Sequence, residues 1–231
     1  RFTWPDGDVS TRTFTVPVVD DFIVNANRTV ALVLSNAIGG ATLGLNNAIL
    51  TITDNDSSIG FTLAAYTVAE NAGFRLIPVQ RTGLTVDTVS VSYTFSPSNA
   101  TDTVDYRATN GTLTFGPGTN TLNLSVTVLD DTLVEGNEAV LLALNTPVAI
   151  PAGSATLAIS NAVLTILDDE TSVSFSGTNY IVLENVGRAV ISVIRAGVSN
   201  TSLQVDFASS NATAVAGLDY TGTNGTLLFN P

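Results

Sequence analysis

Thr121-Leu122-Asn123-Leu124-Ser125-Val126-Thr127-Val128 alternates polar and aliphatic residues without a break. Successive side chains of an extended chain point to opposite faces, so the four aliphatic residues share one face and the polar residues share the other. The stretch is a strand with one buried side. The same period of two runs through Val89, Val91, Tyr93 and Phe95, and through Val140, Leu142 and Leu144. Turn clusters at Ser96-Pro97-Ser98-Asn99 and Gly116-Pro117-Gly118 separate these runs. No segment of helical length carries a 3.6-residue period. About seven short strands in about 113 residues predict an all-β fold, an Ig-like antiparallel β-sandwich.

The unit repeats. Phe61, Tyr66, Val68, Glu70 and Asn71 recur as Phe175, Tyr180, Val182, Glu184 and Asn185, all at an offset of 114. Arg81 and Gly83 recur as Arg195 and Gly197, Asp105-Tyr106 as Asp219-Tyr220, and Asn110-Gly111-Thr112-Leu113 as Asn224-Gly225-Thr226-Leu227. The back of the unit recurs upstream: Val128-Leu129-Asp130-Asp131 matches Val18-Val19-Asp20-Asp21, and Leu164 to Glu170 matches Leu50 to Asp56. The offset is 114 between the later repeats and drifts between 110 and 114 upstream, which places small insertions in loops; self-similarity at a period near 114 marks a tandem array. Residues 1–57 are expected to form the back half of one repeat, 58–170 a complete repeat and 171–231 the front half of a third. The junctions Asn55-Asp56-Ser57-Ser58 and Glu170-Thr171-Ser172 are short, which predicts a stiff array with neighbouring repeats as partners. The opening Arg1-Phe2-Thr3 lies inside a strand-like run and reads as the interior of a longer protein.

Composition narrows the chemistry. The 231 residues include no Cys and no His, and all eight basic residues are Arg. Thiolate and imidazole metal sites, disulfides, His-based acid–base catalysis and Lys-based covalent chemistry are therefore absent. A net charge of −12 opposes nucleic-acid binding, which needs a basic face, and suits cations. No run of 18 apolar residues is present, so direct membrane insertion by a helix is not expected. A glycosidase would need two carboxylates across an aromatic-lined cleft; the acids here sit in turns and the single Trp is Trp4, so the reading is non-enzymatic. Eight Asn-x-Ser/Thr sequons, among them Asn99-Ala-Thr and Asn211-Ala-Thr, follow from the Thr- and Ser-rich composition.

The acids of the complete repeat gather at strand ends. Glu70 follows the first strand, Asp105 precedes a Tyr, Asp130, Asp131, Glu135 and Glu138 crowd one turn, and Asp168, Asp169 and Glu170 close the unit. If the first and last strands run parallel, Glu70 and the 168–170 run meet at one pole. Clustered carboxylates repel, and a hard cation relieves the repulsion. Ca²⁺ takes six to eight oxygen ligands in irregular loops, whereas Mg²⁺ demands a near-octahedral shell and keeps its waters.

At these residues the chain resembles the Calx-beta repeat family. The resemblance rests on Tyr66-Thr-Val68-Ala-Glu70-Asn71, Val104-Asp105-Tyr106, Asn110 to Gly118, Val128 to Glu138 and Leu164 to Glu170, and extends across the partial repeats. Such repeats occur in the cytosolic loops of sodium/calcium exchangers and in large extracellular proteins. The resemblance implies calcium at one end of the sandwich, held by Glu70, Asp105, Asp130, Asp131, Glu135, Glu138, Asp168, Asp169 and Glu170, with the Leu133 carbonyl as a further ligand. In the first repeat Asp20, Asp21, Asp54 and Asp56 persist, but Asn25, Arg28 and Asn55 replace Glu135, Glu138 and Asp169, so that site is expected to be weak or absent. The third repeat supplies Glu184 and Asp219. The expected function is a calcium-stiffened structural or adhesion module of a secreted or cell-surface protein, with a cell-surface, matrix-protein or glycan partner. The alternatives are a calcium sensor of a membrane transporter and a metal-free spacer.

Overall fold

The computed structural model describes residues 1–150 and 155–231. The N-terminal part folds as one antiparallel hairpin, β1 (Arg28–Val33) with β2 (Asn47–Ile52), in the register Val30↔Leu50. The central part contains β3 (Ser57–Phe61), β4 (Ala65–Ala69), β5 (Phe74–Gly83), β6 (Thr88–Pro97), β7 (Tyr106–Arg107), β8 (Gly111–Phe115), β9 (Thr121–Val128), β10 (Glu138–Leu144), β11 (Val148–Ile150), β12 (Ala155–Leu157) and β13 (Asn161–Leu167). The C-terminal part makes two further hairpins, β14 (Thr171–Phe175) with β15 (Val193–Gly197) and β16 (Leu203–Ala208) with β17 (Asn224–Phe229). Among the described residues the helical turns are two three-residue 3₁₀ turns, Glu70–Ala72 and Glu184–Val186.

The central part is a two-sheet sandwich. One sheet runs β12-β3-β5-β9-β7; the other runs β11-β6-β10-β13-β4, with β8 also on β6. The alternating runs supply its core. Leu124, Val126 and Val128 of β9 are buried between exposed polar residues, and Val140, Leu142 and Leu144 of β10 face them from the other sheet. Ile59, Ile77, Val79, Phe115 and Leu164 are fully buried. Burying a side chain of this size stabilises by roughly 1.5–3 kcal/mol, so the interior is the main source of stability here.

Two features refine the sequence reading. The first strand is not one strand but two. β3 belongs to one sheet and β4 to the other, with the crossover at Thr62–Ala64. Tyr66 pins it: its hydroxyl accepts a hydrogen bond from Leu63 N at 3.0 Å and lies 3.1 Å from Thr62 Oγ1. The pairing is also not wholly antiparallel. β13 pairs β4 in parallel, Val68↔Ile166 and Ala69↔Leu167, and β12 pairs β3 in parallel. First and last strands run the same way, so a parallel ladder closes the module, while hairpin-linked strands stay antiparallel.

The chain enters and leaves the sandwich at opposite ends. β4 and β13 both finish at the Glu70 pole, and β5 departs from that pole to finish at Gly83, paired with Ser57. β5 has ten residues, roughly 33 Å of strand at 3.3 Å per residue. The two junctions are built alike. Leu84 N donates to the Asp56 carbonyl at 2.8 Å, and Val198 N donates to the Glu170 carbonyl at 2.8 Å. Gly83 and Gly197 both have φ +84°, and a Cβ on either would strike that carbonyl and a valine, Val24 or Val134, from the acidic loop of the preceding repeat. Only glycine takes this backbone and this approach without strain.

Leu164 is fully buried, while its counterpart Leu50 sits in the open hairpin β1–β2. Leu164→Ala is expected to cost about 2–5 kcal/mol and Leu50→Ala far less. Native-state hydrogen exchange of the β9 and β13 amides is the measurement that checks this; equal effects from both substitutions would contradict it.

Candidate metal centre

Parallel pairing of β4 with β13 carries Glu70 and the Asp168–Glu170 run to the same pole. Glu70 opens the 3₁₀ turn after β4 and is only 7 % exposed. One oxygen each from Glu70, Asp169 and Glu170 lies within 4.8 Å of the other two, and Asp105, Glu135 and Glu138 form a second group of the same spacing. Asp105 is likewise buried. Asp131 and Asp168 lie close enough to Glu70 and Glu135 to raise the pKa of both. Asp130 is different: it is exposed and belongs to neither group.

Backbone hydrogen bonds hold the acids in place. Asp105 Oδ2 accepts from Thr101 N at 2.6 Å, and the Asp105 carbonyl accepts from Leu129 N at 2.9 Å, tying this loop to the end of β9. Asp131 Oδ1 accepts from Leu133 N at 2.7 Å, a turn that faces the 132–137 loop back toward the pole. Asp168 Oδ1 accepts from Glu135 N at 3.4 Å. Three asparagines that sequence reasoning left without a role complete the frame. Asn71 Nδ2 donates to Asp169 Oδ2 at 2.6 Å, Asn137 Oδ1 accepts from Asp168 N, and Asn99 bridges the Asn137 carbonyl and Ala139 N. The signal was available: Asn71 recurs as Asn185, and Asn137 as Asn27, whose Oδ1 likewise accepts from Asp54 N.

The electrostatics are those of an uncompensated anion cluster. Glu70 is pushed up to about 7, first by burial and then by Glu170 and Asp131. Glu138 is also pushed up to about 7, by burial, then by a hydrogen bond to Asp105 and by the charges of Asp105, Glu135 and Glu70. Glu135 and Glu170 are raised as well, by desolvation and by neighbouring carboxylates. Among the described residues the ion pairs are Arg12–Asp8 and Arg28–Asp21, both outside the central sandwich. The donor set is all hard oxygen, buried in part and free of basic side chains, which fits a divalent cation of the calcium type.

The first repeat repeats the geometry with a different charge. Asp21, Asp54 and Asp56 bring oxygens within 4.8 Å of one another, and Asp56 is 2 % exposed with an Oδ1 that receives no hydrogen bond. Arg28 lines the same cleft and pairs with Asp21 at 3.0 Å. Asp20 is exposed. In the C-terminal part Glu184 and Asp219 are exposed and not brought together with other acids, although Asp219 Oδ2 accepts from Val215 N at 2.8 Å as Asp105 does from Thr101.

Glu70 and Glu138 keep a proton in the folded state up to about pH 7, whereas the unfolded chain releases it near 4.5. The stability that depends on this proton is complete below about 4.5 and is lost as pH rises through about 7. In chelator, the melting temperature of the central sandwich is expected to fall between about pH 5 and about pH 8, and Glu70→Gln with Glu138→Gln to flatten that slope. Calorimetric melting at both pH values checks this; a melting temperature that rises with pH would contradict it.

A family profile described as "Calx-beta domain" matches residues 5–56, 53–170 and 167–231. "Extracellular matrix protein 3" of Lytechinus variegatus is 33% identical over 217 residues, covering 88% of this chain and 7% of that protein. The "Sodium/calcium exchanger Calx" of Drosophila melanogaster is 30% identical over 167 residues, covering 71% of this chain and 17% of that protein. The chain thus spans a small part of these relatives. Among solved structures, "Crystal structure of CBD12 from CALX1.2" aligns with a TM-score of 0.49 at 29% identity, over 75% of this chain and 69% of that one.

Proposed function

The chain belongs to the Calx-beta domain family, and from that premise we propose that it is a calcium-binding structural module of a secreted or cell-surface protein. Its ion stiffens the central module and the joint to the next. Residues 58–170 act as the complete module, 1–57 as the back half of the one before and 171–231 as the front half of the one after. The observation that carries the reading is the convergence of two buried carboxylates, Glu70 and Asp105, with Asp169, Glu170, Glu135 and Glu138, where no basic side chain reaches. Asp131, Asp168 and the Leu133 carbonyl complete the shell, and Asp130 is its outermost member. Bound calcium would supply the positive charge that these acids lack and hold the 131–138 loop against the 168–170 run. Val134 of that loop contacts Gly197 of the following repeat, so ordering the loop also orders the joint. Likeness to an extracellular matrix protein supports the location, and no helix of the chain is long and apolar enough to cross a membrane. The family is structural and regulatory, and no catalytic role is assigned.

The first repeat is read as metal-independent, because Arg28 already places a guanidinium among Asp21, Asp54 and Asp56. A second reading, a calcium sensor of a membrane transporter, is supported by the likeness to the Drosophila exchanger. Transmembrane segments in the full reading frame would favour it.

Calcium is expected to bind the full chain and to raise its melting temperature, by about 2.7 kcal/mol of stability at a hundred times the Kd. Magnesium is expected to do much less. Glu70→Gln with Asp131→Asn should remove binding in isothermal titration calorimetry. If the unsubstituted chain takes no heat from millimolar calcium, the acids are solvated turns on a spacer.

A further inference from the structure

β9 lies at the rim of its sheet. β5 pairs with one side of it from Thr121 to Thr127, whereas β7 covers the other side only at Thr127 and Val128. The backbone bonds show which residues face each way. Val128 N donates to the Gly73 carbonyl and the Asn120 carbonyl accepts from Arg81 N, so the even-numbered residues turn their polar groups toward β5. Leu129 N donates to the Asp105 carbonyl on the far side. This direction alternates along a strand, so the amides and carbonyls of Thr121, Asn123 and Ser125 point to the open side. Among the described residues no strand pairs with them there.

Such an edge is a template for another strand, and proteins guard it with charges, proline or a bulge. From Thr121 to Val128 there is no charged residue, no Pro and no Gly, in a chain of net charge −12. The register with β5 runs without a bulge. The matching stretch of the first repeat is guarded twice. Arg12 stands in place of Leu122, and Pro17 stands in place of Thr127, where it removes one amide from the outward series.

We propose that β9 pairs with β9 of a second copy, antiparallel about a two-fold axis at Asn123, so that two five-stranded sheets become one. The open window selects this occupant. It runs from the turn at Gly116–Thr119 to the start of β7. The same stretch, reversed, fills it: Asn123 meets Asn123, and Thr121 meets Ser125. This register uses every outward amide and carbonyl of both copies. A shift of two residues sets Thr121 against Thr127, which β7 already covers, or Ser125 against Thr119, in the turn. On the inward face Leu122, only half-buried in one copy, meets Leu124 of the other. Charge selects the orientation. β9 ends at the acidic pole, and a parallel partner would set Asp130 and Asp131 beside their own copies. Antiparallel pairing sends the two poles to opposite ends. The contact is isologous and closes at two, joining neighbouring chains side by side. It uses no calcium ligand and stands independently of the calcium reading.

The Asn123 side chain lies on the exposed outer face, so substitution there leaves the core intact. In sedimentation equilibrium the full wild-type chain is expected to pass from monomer to dimer with rising concentration, alike in calcium and in chelator. Asn123→Asp sets two carboxylates across the axis and Asn123→Lys two ammonium groups. Each alone should raise the dimer Kd by roughly tenfold or more, and their equimolar mixture should recover a heterodimer at least as tight as wild type. The chain has no cysteine, so Asn123→Cys adds a single thiol. Residues that exchange both backbone bonds lie at a Cα separation suited to a disulfide, so oxidation should link this variant into dimers and should leave Gln80→Cys, on neighbouring β5, unlinked. A wild type that stays monomeric overturns the proposal, as does a mixture no tighter than either charged variant alone. Charged variants that dimerise as wild type does would place the contact on another surface and overturn it. A dimer in which Asn123→Cys links no better than Gln80→Cys would overturn it as well.

Discussion

The parallel ladder between β4 and β13 is the constraint on which the acidic pole depends. It closes the sandwich, and in the register Ala69↔Leu167 it places the first residue after one strand beside the first residue after the other. A slip of one residue would turn Val68 and Ile166 out of the core and rotate the following acids away from one another. The fold therefore concentrates negative charge through the same hydrogen bonds that bury its apolar residues. Glu70 and Asp105 are buried as a consequence of strand closure, and the raised affinity of Glu70 for a proton reflects its burial and the neighbouring negative charge.

Loop and strand divide the work at this pole. The strands fix where the acids emerge, and short side-chain-to-backbone bonds fix how they point. Asp131 and Asp105 spend one oxygen each on a backbone amide, and Asn71 and Asn137 steady the 168–169 segment. The same bonds recur in the N-terminal part, where Asp21 accepts from Ile23 N and Asn27 from Asp54 N. There the frame is kept while the charge is altered by one guanidinium. Frame and charge thus vary independently between the two repeats: the backbone-anchoring bonds persist while a guanidinium enters the acidic cluster of the first.

Much of the fold was legible in the sequence because it rests on period-two alternation and exact recurrence. Leu122 to Val128 read as a half-buried strand and is one, and the parallel pairing of first and last strands, on which the meeting of Glu70 with Asp168–Glu170 was made conditional, is present. The break at Thr62–Ala64 was not legible. The sequence reading placed Glu70 after a single first strand, whereas the chain changes sheets at Thr62–Ala64, where the Tyr66 hydroxyl binds Leu63 N across the bend. Asp130 and Asp131 are indistinguishable as a dipeptide, yet Asp131 is the one that acts on Glu70 while Asp130 is exposed. The asparagines were visible as recurring residues, but their partners were not. They act through single hydrogen bonds to residues as much as 98 positions away, and no local pattern encodes such a pairing.

The junction glycines have a consequence at a larger scale. Gly83 and Gly197 share one φ value, one carbonyl neighbour and one valine neighbour. If a joint with these contacts recurs along a longer array, each module is offered the same local route into the next, and a uniform joint repeated many times generates a screw. Any displacement at one joint is multiplied by the length of everything beyond it, as at the base of a lever. The direction handed from one module to the next thus passes through a residue with no side chain.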